Sequence, residues 1–215
     1  MSVDVRHHWD AVYRTRPDVR TSWHRAHLDT SLRLLDAIDL DADAPIVDIG
    51  GGRSTFVDDL LARGHRDVSV LDIAAEALAQ AHARLGATGD RVHWIAADVT
   101  AVELPAAQHA LWHDRAVFHF LVDADARARY VATLARAVRP GGHAIVATFA
   151  PGGPVQCSGL PVCRYDAATL AAGFAPAFSL VAAEHDLHRT PDGREQAFTY
   201  VLLRREGAED QGIRC

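Results

Sequence analysis

From Ile46 onward, short runs of β-branched and aliphatic residues alternate with longer Ala/Leu/Arg segments of helical period. This alternation restricts the fold more than any other feature, because strands and helices in turn build a parallel sheet with crossover helices on both faces. Strands are expected at 46–49, 68–72, 92–96, 110–113 and 143–149, with helices near 55–63, 74–85 and 124–138. Pro140-Gly141-Gly142 reads as the turn into the fifth strand. Residues 150–165 then form the longest irregular piece, and a short helix is expected near 167–172. Beyond it, 179–187 and 196–204 flank Thr190-Pro191-Asp192-Gly193, the pattern of an antiparallel hairpin closing the sheet. Ahead of the sheet come Trp9 and Tyr13 at i, i+4, then Trp23, then an amphipathic helix over 31–38. The expected organisation is one domain, with a helical lid (1–44) on a core (45–205) and a loose tail (206–215).

Composition removes several chemistries. The chain has no lysine, so all 22 basic side chains are arginine. A phosphate-binding loop of the Gly-Lys-Ser/Thr kind, a Schiff base and a lysine general base are therefore excluded. The net charge of −6 argues against a duplex nucleic-acid binder. The first ten residues are polar and no stretch approaches 18 apolar residues, so neither export nor membrane spanning is expected, and the expected location is the cytoplasm. Cys157, Cys163 and Cys215 are an odd number outside any disulfide-framework spacing, which agrees with a reducing compartment.

The chemistry concentrates in Ile46-Val47-Asp48-Ile49-Gly50-Gly51-Gly52-Arg53-Ser54. A strand that ends in glycines and enters a helix lets a ligand approach the backbone, as in dinucleotide sites. Two details oppose a dinucleotide here. The third glycine of that fingerprint is replaced by Thr55, and Asp48 stands where a carboxylate repels a pyrophosphate. The same carboxylate suits a ligand with an ammonium and a sulfonium, such as S-adenosyl-L-methionine. Asp72, at the end of the second strand, is placed to accept from ribose hydroxyls, and Asp98, past the third, to receive an adenine amino group.

At this point the chain resembles the class I S-adenosylmethionine-dependent methyltransferases, from Ile46 to about Arg204. The shared features are the glycine motif, Leu71-Asp72-Ile73, Ala97-Asp98-Val99, Arg139-Pro140-Gly141-Gly142 and the terminal hairpin. The resemblance implies a doubly wound, Rossmann-like sheet of seven strands in the order 3-2-1-4-5-7-6, the last one antiparallel. It also implies that Asp48, Gly50, Gly51, Gly52, Asp72, Ile73, Asp98 and Val99 bind the methyl donor. Trp9-Asp10-Ala11-Val12-Tyr13 with Thr21-Ser22-Trp23-His24 is similar to the aromatic lid of thiopurine and tellurite-resistance methyltransferases, and to the opening of some protein-lysine methyltransferases. In those families the aromatics lie over the cofactor, which adds Trp9, Tyr13 and Trp23 to the expected binding set.

Methyl transfer needs a nucleophile aligned behind the methyl and, for some acceptors, a base. His113, Asp114 and Arg115, at the end of the fourth strand, are the catalytic candidates: base, acceptor for a substrate amine, and partner for a thiolate or carboxylate. His119, Cys157 and Cys163 are candidates for substrate contact. Each has an ordinary structural account beside it: an Asp114–Arg115 ion pair, a core histidine between Phe118 and Phe120, and two small buried cysteines. No metal site is expected; with 13 histidines in the chain, chance accounts for His185 and His188. The expected activity is methylation of a small thiol, selenol, amine or hydroxyl compound. The alternatives are protein-lysine N-methylation and a non-catalytic domain that binds the same cofactor.

Overall fold

A computed structural model describes residues 4–15 and 21–207. Its centre is β1 (Ile46–Ile49), four buried residues whose near-continuous apolar character is that of a strand covered on both faces. Parallel to it on one side run β2 (Val68–Asp72) and then β3 (His93–Ala96); on the other run β4 (His109–Arg115) and β5 (Val138–Phe149). A short hairpin of β6 (Gln156–Cys157) and β7 (Leu160–Pro161) follows, and then the long β8 (Phe178–Arg189) and β9 (Glu195–Arg205). The last strand pairs antiparallel with β5, giving the order β3-β2-β1-β4-β5-β9-β8. Leaving aside the small β6–β7 pair, this is the seven-strand order that the resemblance implies.

The helices are α1 (Val5–Thr15), α2 (Asp29–Asp36), α3 (Phe56–Ala62), α4 (Ala75–Leu85), α5 (Ala124–Ala137) and α6 (Ala167–Ala172). Several expected boundaries shift. The strand expected at 110–113 runs to Arg115, and the Pro140-Gly141-Gly142 turn lies inside β5 as an irregularity, with Gly141 at φ +76° and a register break opposite His109/Leu111. Segment 150–165 is not wholly irregular, because Ser158 and Gly159, both at positive φ, turn the β6–β7 hairpin. Helix α2 starts two residues earlier than the pattern predicts. The tail from residue 208, with Cys215, lies outside the described residues. Among the described residues, no helix is long and apolar enough to cross a membrane.

Because side chains alternate along a strand, β4 feeds two separate cores. Leu111 points into the layer under α2, α3 and α4, with Ile46, Phe56 and Leu60. Trp112 points into the other, with Tyr130 and Leu134 of α5 and Leu170 of α6. His113 and Arg115 follow Leu111; Asp114 follows Trp112. Asp114 is fully buried in the second layer, where it accepts from the Tyr130 hydroxyl (2.5 Å) and from the backbone N–H groups of Val117 (2.7 Å) and Phe118 (3.0 Å). The same hydroxyl accepts from Trp112 Nε1 at 2.9 Å. Burial raises the Asp114 carboxyl to about 6 against the lowering effect of these donors, chiefly Tyr130. Tyr130 thus ties α5 to β4 through a carboxylate that it keeps hydrogen-bonded. Removing its hydroxyl in Tyr130→Phe leaves both partners buried and short of a bond, so a loss of about 1–3 kcal/mol is expected in urea unfolding.

Candidate functional site

The carboxyl ends of β1, β2 and β4 converge on the turn after β1, which is folded back by hydrogen bonds from Gly50 N and Gly51 N to Leu71 O. The turn demands glycine for reasons of space. A Cβ on Gly51 lies 2.5 Å from Asp48 Oδ2, and one on Gly52, itself at φ +29°, lies 2.6 Å from Asp72 Oδ2. Backbone and carboxylates are thus packed at van der Waals contact. Ser54 caps the following turn by accepting from Phe56 N at 3.1 Å.

Three carboxylates were expected here, and the structure places them differently. Asp48 is 1% exposed, and its Oδ1 accepts from His113 Nδ1 at 2.7 Å. Its Oδ2 is buried without a hydrogen-bond partner among the described residues. Asp72 is 4% exposed and accepts from Ala74 N at 2.8 Å. Burial, with Asp48 and Asp10 nearby, pushes its carboxyl up to about 7 in spite of the Ala74 bond. Asp98 is exposed and accepts from its own neighbour Thr100, through both the backbone N–H and the hydroxyl. Ile73 is half-buried and Val99 buried, flanking these two aspartates.

Above the turn lies an aromatic roof. Trp9, Tyr13, Trp23 and Phe120 stand with ring centroids 5.2–6.1 Å apart, and the Arg53 guanidinium lies 4.9 Å from the Tyr13 ring centroid. Helix α1 is held to α4 by Gln80 Nε2 donating to Tyr13 O, and the sequence-predicted aromatics therefore do come together over the glycine turn. The segment between them and α2 is strapped to the far side of the sheet. Ser22 O accepts from His188 Nε2 (2.7 Å), Arg25 donates to His188 Nδ1 (2.9 Å) and pairs with Asp186 (2.7 Å), and Arg25 O accepts from Thr55 Oγ1 (3.1 Å). Burial, then the charge of Arg115, holds His188 down to about 4, so it stays the neutral bridge these bonds require. Neither Ser31, Arg25 nor His188 stands out as a site residue in the sequence, because their partners are 82 to 166 residues away.

The triplet His113-Asp114-Arg115, expected to act side by side, is divided by the strand's alternation. His113 is 1% exposed with both ring nitrogens bonded, so it cannot accept a proton from a substrate in this arrangement. Asp114 faces the opposite core, away from the turn. Of the three, Arg115 is the one with a group left over in the cleft: Nε donates to Tyr200 Oη (3.0 Å), Nη1 to Trp23 O (3.3 Å), and the guanidinium lies 4.6 Å from the Phe198 ring centroid. Arg115 Nη2 is buried with no partner among the described residues. His119 is a fully buried histidine between Phe120 and Phe149, lowered to about 3 by burial and then Arg115. Cys157 packs in the first core layer; Cys163 donates its backbone N–H to His119 O and lies 3.9 Å from Arg127 Nη1. Both are free thiols.

The cleft between turn and roof, lined by Asp48, Gly50, Arg53, His113 and Arg115 among others, encloses about 40 Å³. That is room for water rather than for a nucleoside. Residues 46–142 match a family model described as a methyltransferase domain. The fold is that of the class I methyltransferases. At 20% identity, the protein in a structure concerning conversion of a disulfide bond into a thioacetal group in echinomycin biosynthesis superposes with a TM-score of 0.76, over 96% of this chain and 95% of that one. Burkholderia thailandensis 1,6-didemethyltoxoflavin-N1-methyltransferase, with its substrate and S-adenosylhomocysteine bound, gives 0.67 at 21% identity over 95% and 85%. The N-methyltransferase NodS of Bradyrhizobium japonicum WM9, with S-adenosylhomocysteine, gives 0.71 at 16% identity over 95% and 100%. No curated protein matches the sequence. The toxoflavin methyltransferase and NodS structures both hold S-adenosylhomocysteine, the demethylated form of S-adenosylmethionine. The site fits it in two respects: a glycine backbone that no side chain can cover, and a buried carboxylate oxygen with no partner of its own.

Asp72 generates a prediction independent of any ligand. Its folded carboxyl titrates near 7, above the ordinary 3.8, so the folded state holds the proton more tightly and stability falls as pH rises from the ordinary range through about 7. The displacement corresponds to on the order of 4 kcal/mol. Asp72→Asn keeps the acceptor for Ala74 and cannot ionise. Its melting temperature is expected to exceed that of the parent at pH 8, with the difference shrinking toward pH 4, by calorimetry at both pH values.

Proposed function

We propose that this protein transfers a methyl group from S-adenosylmethionine to a small nucleophilic molecule held beneath the aromatic roof, beside Arg115. The cofactor supplies an electrophilic methyl on a sulfonium, and the chain supplies binding, alignment and exclusion of water. Glycines 50–52 give the donor close approach to backbone, Asp72 accepts from its ribose hydroxyls, Asp48 from its ammonium, and Trp9, Tyr13 and Trp23 cover it.

The observation that carries the small-molecule reading is the strap. Ser22 and Arg25 are bound to β8, and Trp23 to Arg115, so the acceptor side is a roofed cleft. A basic peptide asks for an open groove with free carboxylates; here Asp114 is consumed by Tyr130 and backbone donors, and Asp186 pairs with Arg25. Arg115, with a buried N–H left over, favours an acceptor that carries or develops negative charge, a thiolate or a carboxylate-bearing compound. With no lysine in the chain and His113 and His119 buried, none of these supplies a base, which favours an acceptor acidic enough to furnish its own nucleophile.

Calorimetry with S-adenosylmethionine and S-adenosylhomocysteine tests the cofactor, and product assays over thiols, selenols, amines and basic peptides test the acceptor. Asp72→Ala is expected to weaken donor binding by about tenfold or more, through loss of its hydrogen bonds to the ribose. Arg115→Ala is expected to leave donor affinity within about twofold and to lower turnover by about tenfold or more. Turnover on lysine peptides with none on small nucleophiles overturns the assignment of acceptor class. Donor binding with turnover on no acceptor favours a binding domain.

A further inference from the structure

Behind Asp48 lies a buried chain of polar groups, His113 and Ser31, to which the proposed reaction gives no part. Asp48 and His113 are direct cross-strand partners in the β1–β4 register, on the same face of the sheet. His113 Nδ1 donates to Asp48 Oδ1 at 2.7 Å, since a carboxylate only accepts. In the neutral imidazole Nε2 then accepts, and Ser31 Oγ, on α2, is its donor at 2.8 Å. Phe56 of α3 stacks on the imidazole with centroids 4.0 Å apart, which fixes the ring plane. All three polar residues are 0–1% exposed. The sequence Ser–His–Asp is that of a hydrolase triad, but Ser31 is sealed in a helix–sheet interface where no acyl group reaches it.

We infer that His113 and Ser31 are positioning residues for Asp48: they anchor one carboxylate oxygen so that the other, Oδ2, stays turned to the cleft, ready for the ammonium at the amino-acid end of the donor. Three observations carry this. Asp48 Oδ2 is buried, partnerless among the described residues, and next to Gly51, while Asp48 itself lines the cleft. A carboxylate rotating about its last bond would exchange the two oxygens, and the bond to His113 opposes that rotation. The chain of bonds ends on α2, the helix that directly follows the strap over the cleft, so the seating of the strap and the orientation of the carboxylate share one element. This rests on the reading of the site as a donor pocket, and it adds which end of the donor the buried network serves.

The test compares two ligands that differ in the amino-acid end. S-adenosylhomocysteine carries the ammonium; 5′-methylthioadenosine keeps the adenosine and lacks it. With His113→Asn and Ser31→Ala, calorimetry is expected to show S-adenosylhomocysteine affinity lowered about tenfold in the first and about threefold in the second. Affinity for 5′-methylthioadenosine is expected to stay within about twofold in both, a separation that general loosening of the fold does not produce. Ser31→Ala removes one hydroxyl, and circular dichroism reports whether each variant is folded; should His113→Asn not fold, Ser31→Ala decides alone. Equal losses for the two ligands, or none for either, overturn the inference while leaving the donor pocket intact. If the parent protein binds neither compound, the donor reading itself fails, and the inference with it.

Discussion

A carboxylate buried at the end of the central strand is the constraint around which this structure is arranged. Asp48 sits between a glycine turn that no side chain can occupy and a histidine that consumes one of its oxygens. An isolated buried carboxylate is costly, and a paired one is tolerated only when its hydrogen bonds are met. His113, itself held by Ser31, meets half of that demand inside the protein. The other oxygen is buried beside Gly51 with no partner among the described residues. Binding sites commonly hold polar groups whose satisfaction is completed by the ligand, and Asp72, with its raised carboxyl, belongs to the same pattern.

The two-layer core explains why neighbouring residues in the chain do different work. Along β4, His113 and Arg115 enter the layer shared with α2, α3 and the strap, while Asp114 enters the layer of α5. Three charged or titratable residues in a row therefore belong to two environments. One is bonded to Asp48, one lines the cleft between Trp23 and Tyr200, and one, bonded to Tyr130, holds a helix to the sheet. Moving the strand register by a single residue would exchange these roles, since it turns every side chain to the opposite face.

The roof depends on contacts remote in sequence. Arg25, Trp23 and Ser22 reach β8, β4 and the hairpin end through bonds that span 92 to 166 residues. The strap is packed as well as bonded: Leu28 and Thr21 are buried, and Trp23 lies against two of the apolar clusters.

Much of the fold was legible in the sequence because strand and helix periods are local. Residues 46–49, 68–72 and 167–172 form the elements their patterns predict, to the residue. The glycine turn with its acidic neighbours was equally visible, since only glycine permits backbone contact at that corner and three aspartates fall at successive strand ends. The sequence by itself thus determined the strand and helix pattern, the turn and the aromatic segments of the roof. What the tertiary structure alone decided is which side chains meet. The pairing of Asp48 with His113 requires the parallel register of β1 and β4, and Ser31 joins them only when α2 docks on that face. Register and docking are set by the summed burial of both cores, a long-range quantity with no local signature, so no reading of spacing along the chain contains them.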